Sequence, residues 1–138
     1  MEGEARAVNL VMDASALAAL LNEEPGGELV RKLITDNDCA SHVVNLCEVY
    51  YTVRRSDGQA LADKALDRIE DLGVETRGDL DTEFWKQVGA YKADVGGMSL
   101  ADCFCAALAN RLDGEIITTD HEFDGVLNLG LCRVRFIR

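Results

Sequence analysis

Four acidic residues, far apart along this sequence, have types and positions suited to binding a metal ion. Asp13 and Asp120 each follow a short β-rich run, so each stands at the carboxyl end of a predicted strand. Asp102 lies in the first turn of a predicted helix, and Glu48 lies within another. In a parallel sheet the carboxyl ends of the strands share one edge, where the helices packed on the sheet begin. We therefore expect the four side chains to converge there.

Clustered carboxylates repel one another, and their pKa values rise unless a positive charge lies between them. Mg²⁺ or Mn²⁺ meets this need, because hard cations prefer carboxylate and water oxygens. Such ions orient a water, lower its pKa and stabilise charge on a phosphodiester. With no His or Cys ligands and no P-loop glycines in the pattern, the sequence favours phosphodiester hydrolysis over zinc hydrolysis or use of a nucleoside triphosphate.

Each of the four residues also has a purely structural interpretation. Asp13 and Asp120 are suited to capping the helices that follow them, although Ser15 is placed to cap equally well. Asp102 completes a capping-box pattern with the serine three residues before it. Glu48 lies opposite the apolar side of its helix, as a solvated glutamate does. The repeated strand-terminal aspartate is what favours a functional site.

Asp102 shares its helical face with small residues, Cys105, Ala106 and Ala109. This pattern indicates the close approach of another element, or the floor of a cleft.

The elements that must position these residues alternate between strand and helix. The predicted strands cover residues 8–12, 39–42, 74–76, 115–119 and 132–137. The predicted helices cover about residues 14–22, 28–35, 44–55, 59–72, 81–94 and 99–112, and one or two helical turns follow in residues 120–127. This order predicts a three-layer α/β/α sandwich with a short, mainly parallel central sheet. The length indicates one domain over residues 1–138, with residues 1–7 as a flexible N-terminal extension.

Two finer expectations concern single side chains. The helix over residues 59–72 presents an apolar stripe made of Leu61, Ala65, Leu66, Ile69 and Leu72. The five cysteines form no CxxC pair, so we expect small, reduced core residues at Cys39, Cys47, Cys103, Cys105 and Cys132.

Charge and hydropathy restrict the location and the partners. The net charge is −11, from 25 acidic and 14 basic residues, so anionic lipid and bulk DNA are poor partners. The longest apolar run, residues 103–109, is far short of the roughly 18 residues of a membrane span. With an acidic start unlike a signal peptide, the sequence predicts a cytoplasmic protein. An acidic protein binds nucleic acid only with the help of metal ions, local basic side chains or both. The basic residues that could contact phosphates are Arg54, Arg55, Lys92, Arg133, Arg135 and Arg138.

These motifs, in this order and spacing, resemble the PIN-domain ribonuclease family, and most of all the VapC-type toxins of toxin–antitoxin systems. The resemblance is carried by Val-Met-Asp13-Ala-Ser15, Val-Asn45-Leu-Cys-Glu48, Leu-Ala-Asp102-Cys-Phe and Ile-Thr118-Thr-Asp120-His-Glu-Phe123, and covers about residues 8–137.

The resemblance implies a PIN fold and an endoribonuclease that depends on Mg²⁺ or Mn²⁺. Asp13 and Asp102 would be the principal metal ligands, and Glu48 and Asp120 would complete the acidic quartet. It also implies supporting positions at Ser15, Asn45 and Thr118, a homodimer, and a cognate VapB-like antitoxin that binds across the cleft and also binds operator DNA.

Other interpretations stay open at this stage. The acidic charge also suits a non-catalytic PIN-fold module that binds a basic partner peptide. A phosphatase or phospho-acceptor with Asp13 as nucleophile is less favoured, because Ser15 stands where a second aspartate is expected and no lysine follows the strand before Asp120. Asp124 is either an extra ligand or a solvated residue, and His121 is either a group acting on the leaving oxygen or a surface histidine.

Overall fold

The computed structural model describes residues 9–138, so the expected extension over residues 1–7 lies outside the described part. Five strands are present there: β1 (Leu10–Met12), β2 (Cys39–His42), β3 (Val74–Arg77), β4 (Glu115–Thr118) and β5 (Arg133–Phe136). The α-helices of the same residues are α1 (Ala14–Leu21), α2 (Gly27–Asp36), α3 (Val43–Asp57), α4 (Gln59–Leu72), α5 (Thr82–Asp94), α6 (Leu100–Leu112) and α7 (Asp124–Asn128). One turn of 3-10 helix, His121–Phe123, precedes α7.

The five strands form one parallel sheet in the order β3-β2-β1-β4-β5, which confirms the predicted sheet. β1 is central, and its Leu10 is paired with Cys39 on one side and Glu115 on the other. All three residues of β1 are buried, because helices cover both faces of the sheet. Since β1 and β4 are neighbours running the same way, Asp13 and Asp120 follow them at the same sheet edge.

Two hydrophobic cores lie on opposite faces of the sheet, which confirms the three-layer sandwich. Leu10 and Met12 of β1 pack into the first core, with apolar residues of α1, α2, α3 and α4. Val11, whose side chain points the other way, packs into the second core, with residues of α5 and α6. The alternation along β1 therefore assigns the two helical layers to the two faces.

Two predictions about single side chains are wrong in part. On α4, the predicted stripe is right for Ala65, Leu66, Ile69 and Leu72, which are buried or half-buried. It is wrong for Leu61, which is 51% exposed, and the neighbouring Ala62 is fully buried in its place. Cys47 is exposed on α3 and Cys132 is only half-buried, whereas Cys39, Cys103 and Cys105 are buried as expected. All five cysteines are free thiols.

Over residues 9–138 every helix is too short or too polar to serve as a transmembrane segment.

Candidate active site

A cleft of about 280 Å³ opens at the carboxyl edge of the sheet, between α1, α3, α6 and the segment that follows β4. Its lining includes all four of the acidic residues identified from the sequence, Asp13, Glu48, Asp102 and Asp120. They come from four separate segments of the chain: the parallel pairing of β1 and β4 brings Asp13 and Asp120 together, and α3 and α6 bring Glu48 and Asp102 to the same edge. The remaining lining residues are mainly apolar or small and come from α1 and α3.

Asp13 serves as helix cap and cleft residue at once. Its Oδ1 accepts hydrogen bonds from the backbone N–H of Ala16 at 2.9 Å and from the Ser15 hydroxyl at 2.8 Å. Its Oδ2 accepts a hydrogen bond from the Thr118 hydroxyl at 2.5 Å. The carboxylate is buried and fixed in direction by these three donors, so the capping interpretation and the functional one do not exclude each other.

The hydroxyl groups of Ser15 and Thr118 join the end of β4 to Asp13. Ser15 Oγ accepts a hydrogen bond from the Thr119 backbone N–H at 2.9 Å, and Thr118 Oγ1 accepts one from the Asp120 backbone N–H at 2.8 Å. Ser15 therefore does not cap α1, as the alternative interpretation allowed. Both hydroxyls lie where they orient the carboxylate of Asp13, and this positioning role remains a prediction.

Asp102 likewise combines a capping box with a place in the cleft. The Ser99 hydroxyl accepts a hydrogen bond from the Asp102 backbone N–H at 3.1 Å, and Asp102 Oδ2 accepts one from the Ser99 N–H at 3.2 Å. The small residues on its helical face, Cys105, Ala106 and Ala109, are at most 1% exposed. They let α6 lie close to the sheet, as the sequence pattern indicated, and so hold Asp102 beside the strand ends.

Glu122 joins this group, although the sequence pattern did not assign it a role. Asp120 Oδ1 accepts a hydrogen bond from the Glu122 backbone N–H at 2.8 Å, which starts the 3-10 turn. Carboxylate oxygens of Asp102, Asp120 and Glu122 all lie within 4.8 Å of one another. The sequence signal that could have identified Glu122 is its position two residues after Asp120, inside the short turn that Asp120 caps.

Glu48 lies on α3 and is half-buried against the cleft, so the interpretation as a fully solvated glutamate is wrong. Asn45, one turn earlier, is completely buried, and its Nδ2 donates a hydrogen bond to the carbonyl of Ala101 at 3.2 Å. This bond ties α3 to the start of α6. Asn45 therefore helps to set the distance between the helices that carry Glu48 and Asp102.

The cleft raises the pKa values of its carboxyl groups. Burial raises the pKa of Asp13 against the opposing effect of its three hydrogen bonds. Burial, followed by a hydrogen bond with Glu122, raises the pKa of Asp102 to about 7. Burial raises the pKa of Glu48 as well, and the negative charges of Asp120 and Glu122 add to the effect. Removal from water is therefore the main cost of ionising these carboxyl groups.

The donor set is suited to a hard divalent cation. The acidic side chains that line the cleft offer only carboxylate oxygens, and no lysine or arginine is among the described residues lining it. Asp102, Asp120 and Glu122 are close enough together to share one ion. A bound Mg²⁺ or Mn²⁺ would favour the ionised form of these buried carboxylates and would offset the smaller repulsion among them.

His121 and Asp124 interact with each other and with the last strand. The His121 ring stacks on Phe136 with a centroid distance of 4.1 Å, and its Nδ1 lies 3.5 Å from Asp124 Oδ1. Both side chains are more than half exposed. These contacts favour the surface interpretation for both residues.

The comparisons with known proteins agree with the fold. The family model described as the PIN domain matches residues 10–127. The VapBC2 structure from Rickettsia felis, bound to a promoter DNA fragment, superposes with a TM-score of 0.74 at 14% identity, covering 94% of this chain and 98% of that one.

Two further structures show the same fold. The DNA-bound VapBC from Salmonella typhimurium has a TM-score of 0.73 at 14% identity, covering 96% of this chain and 100% of that one. VapBC-5 from Mycobacterium tuberculosis has a TM-score of 0.59 at 24% identity, covering 96% and 99%. No curated protein is similar enough in sequence to count as a match.

Proposed function

The chain belongs to the PIN domain family, and from that premise we propose that it is a metal-dependent endoribonuclease, the VapC-like toxin of a toxin–antitoxin pair. The observation that carries the proposal is the convergence of Asp13, Glu48, Asp102 and Asp120 in one cleft that has no basic side chain among its described lining residues. Such a cleft repels the phosphates of RNA unless a cation is bound in it, so the proposed nuclease requires metal.

The proposed mechanism assigns the metal to these carboxylates. Asp13 and Asp102 are the principal ligands, and Glu48 and Asp120 complete the set. When bound, Mg²⁺ or Mn²⁺ supplies Lewis-acid activation of water and stabilises the charge that develops on the scissile phosphate. The chain's own contribution is preorganisation: three hydrogen bonds fix Asp13, and a capping box fixes Asp102.

The biological partners belong to the same proposal. The chain acts as a single domain in the cytoplasm, forms a homodimer and is inhibited by a cognate VapB-like antitoxin. Support comes from the fold, which the chain shares with the Rickettsia felis VapBC2 complex and with a toxin–antitoxin complex from Klebsiella pneumoniae.

The test is cleavage of single-stranded RNA by the purified full chain, with Mn²⁺ or with EDTA. We expect cleavage with Mn²⁺ and none with EDTA. Asp13→Asn and Asp102→Asn should each lower the rate at least about 100-fold, because each removes a principal charged ligand while nearly preserving shape.

Asp124→Asn is the matched control, since Asp124 is an exposed acid near the cleft that pairs with His121. It should cleave at the wild-type rate. Wild-type rates in Asp13→Asn or Asp102→Asn would refute the site assignment, provided circular dichroism shows that both variants are folded.

A second function is favoured by one observation, the excess of negative charge. The net charge of −11 and the acidic cleft suit a module that binds a basic partner peptide without catalysis. This alternative predicts tight binding of a lysine- and arginine-rich peptide and no RNA turnover at any Mn²⁺ concentration. RNA cleavage that depends on Asp13 would exclude it.

A further inference from the structure

The structure distinguishes among the six cations that were candidates for phosphate contacts. Four of them already have partners: Lys92 donates to the Met98 carbonyl at 2.8 Å, and the others pair with carboxylates, Arg133 with Asp113, Arg135 with Glu115 and Arg138 with Glu24. Arg54 and Arg55 form no salt bridge to a carboxylate anywhere in residues 9–138, and both are exposed.

Arg54 and Arg55 also lie on an element that lines the cleft. Among the other lining elements, α1 carries no lysine or arginine, and the 3-10 turn carries only His121. On α6 the arginine is Arg111, in the last turn, far from Asp102, and Asp79 and Asp81 bind its guanidinium. Among the described elements that line the cleft, α3 is therefore the one that carries arginines with no carboxylate partner.

The helical geometry directs Arg55 along the face of α3 that carries Glu48. Seven residues separate the two, which is about two turns or about 10 Å along the axis, with a rotation of only about 20°. The Arg55 guanidinium lies over the ring of Tyr51, with its Cζ 5.3 Å from the ring centroid. Arg54 lies about 120° around the helix from Glu48. It is held to Tyr50, on the side of α3 that faces α4: its NH1 donates to the Tyr50 hydroxyl at 3.0 Å and its Cζ lies 6.0 Å from that ring.

We propose that Arg55, stacked on Tyr51, together with Arg54, forms a phosphate-binding subsite for single-stranded RNA beside the acidic cleft. The subsite rests on the proposed ribonuclease function and extends it, since it binds a phosphate a few nucleotides away from the scissile bond. A stacked guanidinium keeps its N–H edge free for a phosphate. Tyr51, which is 46% exposed, also offers a ring face on which an unpaired base can stack.

The subsite accounts for how so acidic a protein binds a polyanion. The net charge of −11 repels RNA as a whole, so productive binding requires cations close to the metal site. Arg55 provides a cation on the side of α3 that carries Glu48, with Arg54 next to it at a greater angle, whereas Arg133, Arg135 and Arg138 are paired with carboxylates.

The test compares Arg55→Gln and Arg54→Gln with Lys86→Gln, which removes an exposed cation from α5, a helix that does not line the cleft. The kcat/KM for a single-stranded RNA oligonucleotide is measured in Mn²⁺ over a range of NaCl concentrations. We expect Arg55→Gln to lower kcat/KM about three- to tenfold, mainly through KM, and to reduce the slope of log kcat/KM against log salt by about 0.7. Arg54→Gln should have a smaller effect in the same direction, and Lys86→Gln should leave the slope unchanged.

The role of the ring is tested by Tyr51→Phe and Tyr51→Leu. Tyr51→Phe keeps the stacking surface and should retain the wild-type KM, whereas Tyr51→Leu should raise KM toward the value of Arg55→Gln. A general loss of stability does not produce this pair of outcomes.

The subsite would be refuted if Arg55→Gln had the same KM and salt slope as Lys86→Gln. If the wild-type protein cleaves no RNA, the proposed function fails first, and fluorescence anisotropy of the same oligonucleotide in Mn²⁺ then tests the subsite. Weaker binding by Arg55→Gln than by Lys86→Gln would support it without catalysis, and equal binding would refute it.

Discussion

Asp13 shows how one side chain satisfies both a folding requirement and a functional one. Its Oδ1 caps α1 and its Oδ2 accepts the Thr118 hydroxyl, yet the carboxylate still lines the cleft. An ionised carboxylate has about four lone-pair positions, so three hydrogen bonds leave capacity for a metal ion. Asp102 and Asp120 each combine a cap with a place in the cleft in the same way.

Glu122 is close enough to two other cleft carboxylates to contact a bound metal ion. Because its carboxylate lies within 4.8 Å of those of Asp102 and Asp120, we expect Glu122→Gln to weaken metal binding. The Mn²⁺ concentration for half-maximal RNA cleavage should rise about tenfold, the lower end of what loss of an outer metal contact causes. A metal titration of the cleavage rate measures the shift.

The control for Glu122 is again Asp124→Asn, which changes an acid of the same short segment that contacts the ring of His121. Its half-maximal Mn²⁺ concentration should stay at the wild-type value. Equal shifts in both variants would mean that local negative charge, and not a contact at the metal, controls the affinity.

At the scale of elements, the cleft depends on how closely the helices of the first core pack. Gly27, the first residue of α2, lies against α1: an added Cβ would clash with the carbonyl oxygen of Ala19 and lie 3.1 Å from its carbonyl carbon. The clash is with backbone, which does not move as a flexible side chain does. The contact therefore requires glycine.

Gly27→Ala should destabilise the protein by about 1–3 kcal/mol, because the added methyl group forces α1 and α2 apart. Equilibrium unfolding in urea measures the change. Gly89→Ala is the matched control within α5, where an added Cβ meets nothing within 4 Å, and there alanine should stabilise the helix by up to about 1 kcal/mol. Two variants with equal stability would show that α1 and α2 have room to separate.

At the scale of the whole molecule, the acidic cleft makes stability depend on pH and on metal. The pKa of Asp102 is raised from 3.8 to about 7, so between these values the folded state binds more protons than the unfolded state. The stability of the metal-free protein therefore falls as the pH rises through this window. Asp13 and Glu48, whose pKa values are also raised, act in the same direction.

The paired acids elsewhere do not oppose this trend above pH 4. The guanidinium of Arg77 lowers the pKa of Asp79, so Asp79 contributes stability that is lost only as the pH falls below its ordinary range.

We therefore expect the melting temperature in EDTA to be higher at pH 5 than at pH 7.5. Mn²⁺ should raise it more at pH 7.5, where the carboxylates of the cleft are ionised. Differential scanning calorimetry of the wild-type protein and of Asp102→Asn tests this expectation. The variant should show a smaller fall with pH, and identical slopes would mean that Asp102 does not titrate in this window.

The order of the elements, and the sheet edge at which we expect the chemistry, could be predicted from local patterns in the sequence. Short apolar runs ending in Asp13 and Asp120, each followed by a helix, predict parallel strands with both aspartates at one sheet edge, and the pairing of β1 with β4 agrees. Hydrophobic periodicity depends only on near neighbours in the chain, so the bounds of α1, α4 and α5 could be predicted to within a residue or two.

The contacts between side chains that are far apart in the sequence could not be predicted in this way. Glu122 is drawn to Asp102 by the turn that Asp120 starts, and Asn45 reaches the Ala101 carbonyl although 56 residues separate them. Of the six candidate cations, three pair with carboxylates and Lys92 donates to a backbone carbonyl. Within the described residues, Arg54 and Arg55 are the two that have neither kind of partner. The physical reason is that burial and ion pairing depend on distances in space, which a local sequence pattern does not contain.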